Sequence, residues 1–275
     1  MSYRLIALDV DGTLLNDKDE LTERTALTVR EAYEAGARIV LCTGRGPGNA
    51  VPVLDELGLQ GVLITHNGAA TVESPGPKLL HEFSYGVGQI EELIRFCRER
   101  GIHYDVCTAL DMFVDRLGDA VSEMYDKFGV TVERVEDVLA LTAPIVKCTL
   151  FGSGDELDAA EAELSKMGLP PGIQSIRSGI HFLDIMLDSV SKGSALRYLA
   201  ELWEIPSSEV LAIGNYYNDI DMIRFAGLGI AMENSPEAVK AAADTVTLSN
   251  NEEGVHEAIQ RHVLASAAGT AARKE

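Results

Sequence analysis

Residues 3–8 (YRLIAL) form a short apolar run that does not alternate, the pattern of a strand covered on both faces. Residues 37–42 (ARIVLC) and 62–65 (VLIT) repeat it. Between the first two runs, Thr22 can cap a helix running to Ala35, in which Ala26, Val29, Ala32 and Tyr33 recur at helical spacing before Gly36 ends it. Buried strands separated by helical patterns predict βαβ units and a parallel sheet.

From about residue 84 to 187 the pattern changes to two-sided strands and amphipathic helices. It predicts a helix over 89–100, with Ile90, Leu93, Ile94 and Cys97 on one face, then strands at 102–107 and 112–115 and a helix around 119–128. A strand at 145–151, a helix at 155–167 and paired strands near 174–177 and 181–187 follow, the last (HFLDIML) an inner strand leading back to the first unit. After Asp188 the βα rhythm resumes. Ser191 caps a helix carrying Ala195, Leu196, Leu199 and Leu202, followed by a strand at 210–213, a helix at 220–225 and a strand at 228–231. Ser235-Pro236 predicts a serine cap with proline at the first helical position. The last dozen residues (LASAAGTAARKE) suggest a frayed, low-complexity tail. The expected fold class is α/β: a doubly wound parallel-sheet core built from residues 1–83 and 188–275, with an α+β domain of residues 84–187 inserted between its halves.

Composition narrows the function. The chain has 275 residues, 46% hydrophobic and 24% charged, enough for two modest cores. It has no run of about 18 apolar residues, and its first residues lack the basic and apolar regions of a secretory signal, so neither membrane insertion nor export is expected and the expected location is the cytoplasm. The formal net charge of −20, without a Lys/Arg cluster, argues against nucleic acid. A small phosphorylated ligand is still compatible, because one lysine, a metal ion and backbone amides can hold phosphate locally. The four cysteines lie in apolar surroundings without a C-x-x-C pair and are expected as buried thiols; the six histidines lack zinc-ligand spacing.

Asp9-Val10-Asp11-Gly12-Thr13 follows the first strand directly. Ligands of an open parallel sheet bind at the carboxyl ends of its strands, so two carboxylates there project into the crevice. Carboxylate oxygens suit Mg²⁺, and a carboxylate ionised at pH 7 can act as a nucleophile without a separate base. The alternative is a solvated aspartate in a D-G turn or a calcium loop; the preceding buried strand disfavours the latter. The second strand ends Thr43-Gly44-Arg45, whose hydroxyl and amides can serve as phosphate donors, although a plain turn accounts for it equally. Asn67-Gly68 is turn chemistry first and an active-site rim second. Lys192, viewed alone, is a surface lysine at a helix start that could also face an anion. Gly214-Asn215-Tyr216-Tyr217-Asn218-Asp219 follows another buried strand and offers either metal-binding oxygens or helix caps.

The series Asp9/Asp11, Thr43, Lys192, Asn215/Asp219, in this order, resembles the haloacid dehalogenase (HAD) superfamily over essentially the whole chain. The insertion after the third strand and the closing string GLGIAMENSPEAVKAAADTVTLSNNEEGV resemble its Cof-like branch (type IIB), with a large α/β cap on a Rossmann-like core. The resemblance implies a phosphatase acting on a small phosphorylated metabolite, such as a sugar or cofactor phosphate, through an aspartyl-phosphate intermediate. Asp9 would be the nucleophile and Asp11 the acid and base. Mg²⁺ would be held by Asp9, the Asp11 carbonyl and Asn215. Val10, Thr43, Gly44, Lys192 and Asn218 would bind the phosphoryl group, with Asp219, Arg45 and Asn67 in support. One departure stands out: the family's last motif usually begins Gly-Asp, whereas this chain has Gly214-Asn215. The competing reading is a degenerate member that binds a phosphorylated ligand or partner without turnover. A two-component receiver domain shares an acidic pair but fails on length and on the insertion. A monomer is the default expectation.

Overall fold

A computed structural model of the chain describes residues 3–127 and 129–265; residue 128, the end of one expected helix, and residues 266–275 of the expected tail lie outside the described residues. In chain order the first elements are β1 (Leu5–Leu8), α1 (Glu23–Glu34), β2 (Arg38–Cys42), α2 (Pro47–Glu56), β3 (Val62–Thr65), β4 (Ala70–Glu73) and β5 (Lys78–Glu82). Then come α3 (Glu91–Arg100), β6 (His103–Cys107), β7 (Met112–Val114), α4 (Asp119–Lys127), β8 (Glu133–Arg134), β9 (Lys147–Phe151), α5 (Gly154–Met167), β10 (Ile173–Gly179) and β11 (Phe182–Leu187). The chain continues through α6 (Lys192–Leu202), β12 (Val210–Gly214), α7 (Ile220–Phe225), β13 (Leu228–Ala231), α8 (Glu237–Lys240), β14 (Thr245–Val246) and α9 (Gly254–Ile259).

One sheet has eight strands in the order β14-β13-β12-β1-β2-β3-β4-β5. It is parallel from β14 to β3, and a β4–β5 hairpin extends it antiparallel. The β1 run is apolar at every position because successive side chains face opposite sides and both sides are covered. Ile6 and Leu8 pack with Ala26 and Val29 of α1 and Ile259 of α9. Leu5 and Ala7 pack with Leu196 and Leu199 of α6 and Met222 of α7. Each fully buried Leu or Ile contributes about 2 kcal/mol. Truncating Leu8 to Ala, which also leaves a cavity, costs about 2–5 kcal/mol. This is the doubly wound α/β fold expected from the sequence.

Local chemistry sets the helix ends. Thr22 Oγ1 accepts the Thr25 amide, and Gly36 follows α1 at φ +99°. Tyr33 and Leu202, expected on apolar faces, are instead exposed. At α8 the cap is Pro236 itself in extended geometry, not Ser235, whose hydroxyl is buried without a partner.

The second sheet has the order β10-β11-β9-β6-β7-β8, antiparallel except between β7 and β8. Tyr104, Val106, Cys148, Leu150, Leu183 and Ile185 pack against α3 and α5 through Leu93, Ile94, Cys97, Leu157 and Leu164. By strand alternation the opposite face carries Asp105, Cys107, Lys147, Thr149, Asp184 and Met186, all buried. Cys107 and Met186 there pack with Ala70, the first residue of β4, and with Ala69 and Val190 in segments flanking the first sheet.

Candidate active site

The parallel strands β1, β2, β3 and β12 end on the same edge, so the turns after them converge. Asp9 is the first residue beyond β1; its amide donates to Ile213 O at 3.0 Å, and its side chain is buried. Ser191 caps α6 in a reciprocal pair with Ser194, which places Lys192 on the first turn, aimed inward. Lys192 Nζ donates to Asp9 Oδ1 at 2.7 Å and to Asp219 Oδ1 at 2.6 Å. The other Asp219 oxygen accepts the Asn215 and Tyr216 amides at 2.8 and 2.9 Å, which ties the loop after β12 to the lysine. Lys192 is 1% exposed and Asp219 is fully buried, so the reading of Lys192 alone as a surface lysine does not hold.

With all three groups ionised, this buried triad carries one uncompensated negative charge. Burial, then the charges of Asp219 and Asp11, push the Asp9 carboxyl up to about 7 against the pull of Lys192. Burial opposes the Lys192 charge, but Asp219 and Asp9 outweigh it and raise its pKa, so the ammonium persists at neutral pH.

Asp11 sits outside this triad, with its side chain half exposed. The Arg45 fork grips it, Nη2 to Oδ1 at 2.6 Å and Nε to Oδ2 at 3.0 Å. Gly12 turns the chain at φ +73°, where a Cβ would lie 2.4 Å from Asn215 Nδ2, so the backbone passes close to that amide. Asn215 Oδ1 accepts from Thr13 Oγ1 at 3.2 Å. Thr43 is buried, and its hydroxyl accepts the Arg45 amide at 3.1 Å. The amides of Val10, Asp11 and Gly44 donate to no group of the chain among the described residues. Asn67, rather than forming a rim, is buried; its oxygen accepts Asn218 Nδ2 at 2.9 Å and its nitrogen donates to Asp184. The Asn218 oxygen is buried without a partner.

Ten of the eleven sequence-predicted residues therefore lie on these converging turns, and the eleventh, Lys192, reaches them from the first turn of α6. Sequence reasoning missed Thr13, Asn234, Lys147 and Asp184. Asn234 Nδ2 holds Gly12 O at 2.9 Å, and Lys147 Nζ holds Gly44 O at 2.9 Å. The signal for Asp184 was a lone carboxylate inside the apolar run HFLDIML. All four cysteines are free and buried, and burial pushes their thiols up, so they stay protonated.

No three His, Cys, Asp or Glu side chains converge as a metal cluster among the described residues. Asp9, Asp11 and Asn215 nevertheless carry hard oxygen donors on neighbouring turns, beside a buried surplus of negative charge, and that chemistry fits a small divalent cation.

A buried strand-end aspartate bridged to a lysine, at the edge of a doubly wound sheet and under a second sheet, defines a hydrolase of the haloacid dehalogenase type with a large α/β cap. The chain belongs to that family, in its Cof-like branch: the profile of haloacid dehalogenase-like hydrolases matches residues 6–259. It is 34% identical over 269 residues to the "Putative phosphatase YxeH" of Bacillus subtilis, covering 96% of this chain and 99% of that one. It is 28% identical to the "5-amino-6-(5-phospho-D-ribitylamino)uracil phosphatase YwtE" of B. subtilis, covering 92% of this chain and 95% of that one. A solved haloacid dehalogenase-like hydrolase from Bacteroides thetaiotaomicron superposes with a TM-score of 0.83 at 32% identity, over 94% of this chain and 99% of that one. The chain is thus an enzyme, a phosphatase of this family. No helix among the described residues is long and apolar enough to cross a membrane.

Proposed function

We propose that this chain hydrolyses the phosphate ester of a small metabolite, a sugar or cofactor phosphate, through an aspartyl-phosphate on Asp9 and with Mg²⁺ as cofactor. The observation that carries the reading is the buried Asp9–Lys192–Asp219 triad: a nucleophilic oxygen fixed against a permanent cation. Phosphoryl transfer depends mostly on positioning and charge stabilisation, so an anion attacking an anion requires fixed positive charge nearby. Mg²⁺, held by Asp9, the Asp11 carbonyl and Asn215, would supply further charge neutralisation.

The chain's own groups divide the remaining work. Asp9 attacks phosphorus as the ester bond breaks, and Asp11 gives a proton to the departing oxygen. Asp11 then takes a proton from the water that cleaves the acyl phosphate, restoring Asp9 and releasing orthophosphate. Arg45 holds the Asp11 carboxylate between these steps. The free amides of Val10, Asp11 and Gly44, with the Thr43 hydroxyl, Lys192 and Asn218, bind phosphoryl oxygens. The inserted unit, residues 84–187 between core segments 1–83 and 188–275, excludes water and contacts the leaving group. The non-catalytic alternative rests on Asn215 alone and gains nothing from the geometry or the relatives.

Hydrolysis of p-nitrophenyl phosphate with and without Mg²⁺ tests the reading, with Asp9→Asn as control. Mg²⁺-dependent turnover that vanishes in the variant is expected. Turnover that survives Asp9→Asn, or none from the wild type at saturating Mg²⁺, rejects it.

A further inference from the structure

Lys147 and Asp184 are buried ionic groups on strands β9 and β11 of the second sheet, and the scheme above leaves them unused. They pair with each other at 3.2 Å, both almost fully buried. Each also reaches across to the first sheet. Lys147 Nζ donates to Gly44 O at 2.9 Å. Asp184 accepts Thr149 Oγ1 at 2.8 Å on one oxygen and the Asn67 amide nitrogen on the other.

These contacts end on the residues assigned to the phosphoryl group. The peptide unit from Gly44 to Arg45 is pinned at both ends, its carbonyl by Lys147 and its N–H by Thr43 Oγ1 at 3.1 Å. That fixes the plane of the turn from which the Gly44 amide projects. Asn67 is pinned too: its backbone N–H donates to Thr43 O at 3.0 Å. Because Asp184 is an acceptor, Asn67 must turn its nitrogen towards it and its oxygen towards Asn218. Asn218 in turn must present its nitrogen to Asn67. The carboxylate thus dictates the orientation of two amides in series.

We propose that Lys147 and Asp184 are positioning residues: the second sheet, on docking, uses this pair to complete the anion-binding turn of Thr43 and Gly44 and to orient Asn218. Docking of that sheet and assembly of the phosphoryl site are then a single event. The inference rests on the reading of these turns as the phosphoryl site, and it separates the pair from side chains that merely touch the leaving group.

The test is calorimetric binding of orthophosphate at saturating Mg²⁺, together with kcat and KM for p-nitrophenyl phosphate, in the wild type, Lys147→Met, Asp184→Asn and the double variant. The double variant removes both partners of the pair together and carries the test if a single variant fails to fold. Orthophosphate Kd and KM rising together, on the order of tenfold, in variants that melt well above the assay temperature is the expected result. Unchanged Kd and KM with only a lowered melting point would reduce the pair to a structural brace and overturn the proposal. So would a loss confined to substrates with larger leaving groups. Because the Kd needs no turnover, an inactive wild type whose phosphate binding still depends on the pair rejects the phosphatase chemistry but not the positioning. A wild type that binds no orthophosphate rejects both.

Discussion

Asn215 stands at the end of β12, where the family resemblance expects aspartate. Its oxygen accepts from Thr13 Oγ1, and its nitrogen lies against Gly12. An aspartate in the same rotamer keeps the Thr13 hydrogen bond, because the hydroxyl is the donor and either carboxylate oxygen accepts. What changes is charge: the proposed metal shell gains a second carboxylate, and affinity for hard cations follows ligand charge. Asn215→Asp should tighten Mg²⁺ binding by roughly tenfold, with the Mg²⁺ activation midpoint moving in parallel. Calorimetric titration of both proteins measures the first, and equal affinities would sink the argument. Lys192 teaches the complementary lesson. Its place at a capped helix start was legible in SVSKGSAL, but its buried triad was not, because Asp9 and Asp219 come from strand ends far away along the chain.

Gly68 joins two elements that the sequence treats separately. The Asn67-Gly68 turn after β3 was legible as turn chemistry. Its packing was not: Gly68 sits at φ +102°, and a Cβ there would lie 2.2 Å from Ser191 O, the cap that starts α6. Left-handed backbone strain and overpacking together should make Gly68→Ala cost about 2–5 kcal/mol. The clash falls on the residue before Lys192, so kcat should fall along with stability. Urea unfolding and steady-state rates measure the two, and an alanine variant with wild-type stability would disprove the close approach. The same division holds for the strands. β1, β2, β3 and β12 were legible because burial on both faces leaves unbroken apolar runs. The β4–β5 hairpin was not, since β5 is largely exposed and carries no such run. On the second sheet, Asp105, Thr149 and Asp184 form one row across three strands. Each was visible in the sequence as a polar break, but only the register shows that the breaks align.

At the scale of the whole molecule, the junction between the two sheets holds a histidine that makes stability depend on pH. His66, in the turn after β3, is 2% exposed, with its ring against Gly46: a Cβ on that glycine would lie 3.0 Å from Cε1. Burial, then the nearby Lys147 ammonium, push His66 down to about 3, against a weaker pull from the Ala109 backbone. In the unfolded chain it titrates near 6.5. The unfolded state therefore binds the proton first, so this contribution to stability is complete above about pH 6.5 and is lost as the pH falls towards 3. By pH 4.5 the loss is about 3 kcal/mol. Asp105, on the facing sheet, has the opposite sign. Burial raises it to about 6, so its folded form takes up a proton before the unfolded chain does, and acidification from about 6 to 4 stabilises the fold. The two slopes partly cancel in the wild type, which hides the histidine. Comparison with His66→Gln exposes it, since Asp105 is common to both proteins. At pH 7.5 the glutamine variant should melt below the wild type, because an amide replaces a ring packed in a buried site. At pH 4.5 the gap should shrink or reverse, because only the wild type then has a ring whose protonation favours unfolding. Melting curves for both proteins at the two pH values decide it: a gap of the same size at each would show that His66 carries none of the acid sensitivity of this junction.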